Sequence, residues 1–145
     1  MKRSKNYLLL LVIVSLLVFQ TSCGNIPSSN GLNIVQAKIT AFEGNPLIVN
    51  EENPQGIRVF ENMSVTKGDK IVTGENEQIL MLIMDSNEIT IDENSEILID
   101  ELKEENGGSN QSFSIIKGKI WSDIKNKLNA NSKYEIKTPT AVMGV

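Results

Sequence analysis

Few side chains in this sequence can do chemistry, and their kinds limit which chemistry. The 145 residues hold no His, one Cys (Cys23) and one Trp (Trp121). Without His there is no Ser-His-Asp triad, no Cys-His dyad and no imidazole metal ligand. A single Cys excludes an internal disulfide, a zinc knuckle and a CxxC redox pair. What remains is one thiol, one indole and a crowd of carboxylates. Glu75 to Glu105 contains 11 acidic residues and one basic residue, Lys103. Such a stretch raises calcium, which takes oxygen ligands, and Asp92-Glu93-Asn94-Ser95-Glu96 offers several. It lacks the Gly and the terminal Glu spacing of an EF-hand loop. Its plainer reading is a solvated acidic face. No motif sets two carboxylates across a cleft, as a glycosidase pair requires. The sequence therefore assigns no catalytic residue, no metal site and no cofactor. For Trp121 the expected role is a buried anchor, because aromatic rings bury large areas. Stacking on a ligand is the alternative.

The thiol has the most informative surroundings. Lys2, Arg3 and Lys5 precede an apolar run from Tyr7 to Phe19, broken only by Ser15. Thirteen residues fall short of the roughly 20 that span a bilayer and match the core of a signal peptide. Gln20-Thr21-Ser22-Cys23-Gly24 follows. Small residues just ahead of a lone Cys resemble a bacterial lipobox, with Gln20 where that pattern takes an apolar residue. The expectation is a lipoprotein signal peptide over 1–22 and a diacylglyceryl group on Cys23. Two acyl chains give stable anchoring. The alternative is a free thiol beside an uncleaved anchor. Residues 24–33 read as a short flexible tether. Without residues 1–22 the chain carries 11 positive and 18 negative charges, a net of −7. That balance, with a pI near 4.9 for the whole chain, argues against nucleic acid, which requires a basic face.

The elements past the tether read as strands. Residues 23–145 hold 17 Ile and 7 Val against 7 Leu and 4 Ala, a composition that suits pleated surfaces over helices. Short apolar runs alternate with turn residues at Gly44-Asn45-Pro46, Thr66-Lys67-Gly68-Asp69, Gly74-Glu75-Asn76, Asp85-Ser86-Asn87 and Asp92-Glu93-Asn94-Ser95. Ile79 to Met84 is apolar throughout, which predicts a strand covered on both faces. Glu101 to Ser112 predicts an exposed loop. Phe113 to Trp121 resumes the strand pattern, and its phase changes at Gly118, the signature of a bulge. Ile120, Trp121, Ile124 and Leu128 also allow one short helix across 121–129. Thr138-Pro139 predicts an extended bend. Regular spacing of short strands predicts an all-β domain, either a solenoid-like roll or a β-sandwich, over 34–145.

Several spaced pieces resemble one family. Ala41-Phe42-Glu43-Gly44 with Leu47-Ile48-Val49 resembles the opening strands of the FecR domain. Val65 to Thr73 is similar to its Gly-Asp-x-apolar-x-Thr element through Gly68, Asp69 and Thr73. Ile79 to Asp85 and Glu88 to Ile91 resemble its repeated short strands. Lys117-Gly118-Lys119-Ile120-Trp121 is similar to its Gly-x-apolar-Trp element. Thr138-Pro139-Thr140-Ala141-Val142-Met143-Gly144-Val145 matches its most distinctive stretch, after which the family continues with Arg-Gly-Thr and another strand. The domain is accordingly expected to be incomplete at its C-terminal end.

The resemblance implies an all-β extracytoplasmic module without catalysis. In the best-known members such a module is joined through a membrane helix to a cytoplasmic segment that controls a sigma factor. The few residues before Tyr7 leave no room for that segment here. The motif residues Gly68, Asp69, Thr73, Gly118, Trp121, Thr138 and Pro139 are expected to be structural, the glycines for backbone freedom and Asp69 for bonds to nearby amides. The resulting expectation is a lipid-anchored binding or sensing module of the cell envelope. It would sit on the outer face of the bacterial cytoplasmic membrane or in the periplasm, with an envelope protein or polymer as partner. An enzyme acting on envelope polymers and a truncated relic are the competing readings.

Overall fold

The structure is a computed structural model, described here for residues 36–84, 87–105, 107–125 and 127–145. The proposed signal peptide, the tether, Cys23 and the Asp85-Ser86 part of one turn lie outside the described residues. Alternation of β-branched and polar residues produces twelve strands: β1 (Ala37–Glu43), β2 (Leu47–Val49), β3 (Ile57–Arg58), β4 (Ser64–Val65), β5 (Lys70–Val72), β6 (Gln78–Ile83), β7 (Asn87–Ile91), β8 (Glu96–Glu105), β9 (Gly108–Lys117), β10 (Ile120–Asp123), β11 (Lys133–Lys137) and β12 (Val142–Gly144). No helix occurs among the described residues, and the start of the segment that allowed one belongs to strand β10.

The strands form a five-stranded sheet, ordered β10-β7-β6-β1-β4, and a seven-stranded sheet, ordered β12-β11-β9-β8-β5-β2-β3. All pairings are antiparallel except β11 with β9. One apolar core lies between the sheets. Ile39, Met81, Ile83, Ile89 and Ile91 enter it from the first sheet, and Ile48, Ile71, Ile97, Ile99, Phe113 and Tyr134 from the second. Of the two predicted architectures, this is the sandwich. Burial of each of these side chains contributes roughly 1.5–3 kcal/mol relative to exposure.

Two local expectations are corrected and a third is made specific. Glu101 to Ser112 is no loop: β8 runs to Glu105 and β9 begins at Gly108, as one long hairpin. Its sequence is polar because one face is solvated, while Leu102, Gln111 and Ser112 are buried. Strand β6 is covered on one face only, with Ile79, Met81 and Ile83 buried and Leu80 and Leu82 half-buried on the outer face. Thr138-Pro139 forms a hairpin turn between β11 and β12. The Thr138 N–H donates to the Ala141 carbonyl at 2.7 Å, and the Ala141 N–H donates back to the Thr138 hydroxyl at 3.0 Å. Pro suits the second position of such a turn because its φ is already set.

Candidate functional site

The motif residues fall into two tightly bonded corners. In the first, Gly68 has φ +92° in the turn between β4 and β5, with open space where a Cβ would stand. Asp69 follows, buried, with both carboxylate oxygens engaged. Oδ2 accepts the Thr66 N–H at 2.8 Å, and Oδ1 accepts the Asn50 side-chain amide at 2.7 Å. The backbone joins this turn to β8, through Gly68 N–H to the Ile99 carbonyl and Ile99 N–H to the Asp69 carbonyl, each 2.9 Å. An open recess of about 470 Å³ lies beside the turn, lined by Asn50, Glu51, Glu52, Thr66, Lys67, Gly68 and Asp69. Its one buried charge, Asp69, is already bonded.

The second corner joins the two sheets. The Thr73 hydroxyl donates to the Asp92 carbonyl at 2.7 Å and accepts the Ser95 N–H at 2.9 Å. The Ser95 hydroxyl accepts the Lys119 N–H at 3.0 Å. Gly118, φ +88°, lies against Ser95, where the chain leaves β9 in one sheet and enters β10 in the other. The predicted bulge at Gly118 is therefore a corner between sheets, which explains the change of phase. Lys119 closes it with an ion pair to Asp92 at 2.7 Å. That hydrogen bond holds the Asp92 carboxyl below its usual range and raises the Lys119 ammonium above its own.

Trp121 is not a buried anchor. It is 64% exposed. Ile120 packs on the core from β10, and the Ser122 hydroxyl meets the Tyr134 hydroxyl at 2.5 Å. The residue between them points to the outer face. The aromatic anchor is Phe113, fully buried, with its ring centroid 5.8 Å from that of Tyr134. Two polar residues lie inside the core: Asn87, expected in a turn and placed instead at the start of β7, and Gln111, expected in a loop and placed in β9.

The acidic stretch is dispersed among local partners. Glu77 accepts from the Gly74 and Asn45 amides, Glu93 from the Asn76 amide, Glu88 pairs with Lys125 and Glu96 with Lys70. Among the described residues no three carboxylates converge on a point that could hold a metal ion.

The family model described as FecR protein matches residues 69–145, just over half of the chain. The chain belongs to the FecR family. The FecR match takes in Asp69, Thr73, Gly118, Trp121, Thr138 and Pro139, and begins one residue after Gly68. FecR proteins are generally a regulatory and sensing family rather than an enzymatic one. No curated protein and no solved structure matches the chain. Within the FecR segment the polar groups Asp69 and Thr73 serve the fold, and the exposed ring of Trp121 lies on the edge strand β10.

Proposed function

We propose that this chain is a non-enzymatic binding and sensing module of the cell envelope, held to a membrane by lipid on Cys23 and exposed outside the cytosol. One observation carries the binding half of the reading. The polar side chains of the family motif, Asp69 and Thr73, are fully engaged inside the fold, while the indole of Trp121 faces outward. Bonded in this way, these groups brace the turns that hold the scaffold. Membership of a sensing family supports the same reading. The address half rests on Lys2, Arg3 and Lys5, the apolar run after them, and Thr21-Ser22-Cys23.

The test is metabolic labelling with a fatty acid, combined with protease shaving of intact spheroplasts. The expected result is label in the wild-type chain, none in Cys23→Ala, and digestion without lysis. A chain that stays unlabelled, or is protected from protease until lysis, would refute the anchored, extracytoplasmic reading.

A further inference from the structure

We propose that the outer face of the five-stranded sheet, centred on Trp121, is a platform for a neutral oligosaccharide. The inference rests on the binding-module reading above and names its ligand class. Strand register places Trp121 opposite Thr90, Thr90 opposite Leu80, and Leu80 opposite Ala41. Directly opposed residues share a face, so these four side chains form one row across the sheet. The row leads into a shallow recess of about 250 Å³ that includes Leu80, Thr90, Phe42, Gln78 and Glu43. Two strand spacings separate Trp121 from Leu80, roughly 10 Å, which a short oligosaccharide bridges and a single sugar does not.

Charge selects the ligand. The two lysines flanking the indole are already paired, Lys119 with Asp92 at 2.7 Å and Lys125 with Glu88 at 2.5 Å. Each already sits beside a carboxylate, and the net charge of −7 without residues 1–22 repels anionic polymers. A protein partner would have to desolvate both ion pairs on this narrow row, which is costly. A small apolar ligand would need an enclosed cleft, and the face is open. A sugar chain has C–H faces that stack on an aromatic ring and hydroxyls that reach Thr90, Gln78 and the carboxylate rim.

Trp121 is the chain's only Trp, so its fluorescence reports this face alone. The full chain, in a detergent without a sugar headgroup, is titrated with cellotetraose, with the β-1,4-linked N-acetylglucosamine tetramer, and with tetragalacturonate. The expected result is a saturable emission change with at least one neutral tetramer and none with the anionic one. By calorimetry, Trp121→Ala should weaken binding roughly tenfold or more and Trp121→Phe should keep part of it. Silence with both neutral tetramers, equal binding by Trp121→Ala, or binding of the anionic tetramer alone would overturn the proposal. Lipid labelling and protease exposure are read independently of Trp121, so the sugar platform can fail while the anchored module stands.

Discussion

The α-carbon of Gly118 lies so close to Ser95 that a methyl group there would overlap the seryl oxygen and stand 2.5 Å from the Ser95 Cα. The obstacle is backbone and cannot rotate aside. Gly118 also has φ +88°, which L-residues adopt at a cost of about 1–2 kcal/mol. Gly68 has the same handedness, φ +92°, with nothing within 4 Å of its missing Cβ. Gly118→Ala should therefore lose about 2–4 kcal/mol through strain and overpacking together, and Gly68→Ala only about 1 kcal/mol. Urea unfolding of the two variants checks the order, and equal losses would mean that the sheet-to-sheet corner can yield.

Thr73 carries a second test of that corner. Its hydroxyl is the partner of the Asp92 carbonyl and the Ser95 N–H at once. Thr73→Val keeps the shape and strips both bonds, leaving buried backbone groups unsatisfied. The expected loss is about 2–4 kcal/mol. Thr73→Ser restores the hydroxyl and should recover most of it, short of about 1 kcal/mol for the missing methyl. If Val and Ser are equally stable, the hydroxyl contributes nothing.

Tyr134 predicts a pH dependence on the alkaline side. Burial raises its phenol above the ordinary range, and the bond to Ser122 opposes this only in part. Its contribution to stability is whole below the unfolded phenol pKa, near 10, and is lost as pH rises through the higher folded value. Phenolate absorbance of the chain from Cys23 onward, whose one tyrosine is Tyr134, should show an ionisation later than that of a free phenol. In Tyr134→Phe the late step should vanish and alkaline unfolding should move to higher pH. A phenol that ionises in the ordinary range in the folded chain would contradict this burial.

Much of the fold was legible because period-two alternation and turn residues are local signals. Ile89 and Ile91 between Asn87 and Asp92, or Tyr134 and Ile136 in β11, face the core as alternation requires. The long hairpin was not legible, because β9 lies between β8 and β11 and takes its stability from pairing on both sides. Its polar Gln111 and Ser112 look like loop residues until those neighbours exist. The site was misread for a related reason. Ile120 and Trp121 are both apolar, so in a strand of four residues the composition does not say which one faces inward. That choice is made by the Gly118 corner and by Ser122 reaching Tyr134, contacts between residues 12 or more apart in the chain.

The exposure of Trp121 has a consequence that separates the surface ring from the core ring. Trp121 is 64% exposed, whereas Phe113 is fully buried and in contact with Tyr134. Phe113→Ala opens a cavity between the sheets and should cost about 3–5 kcal/mol. Trp121→Ala removes a larger side chain, yet most of its surface is already in water, so stability should change by no more than about 0.5 kcal/mol. Thermal unfolding followed by circular dichroism compares the two variants. A Trp121→Ala variant that melts as early as Phe113→Ala would return the indole to the core, and with it would go the outward-facing platform on which the proposed binding depends.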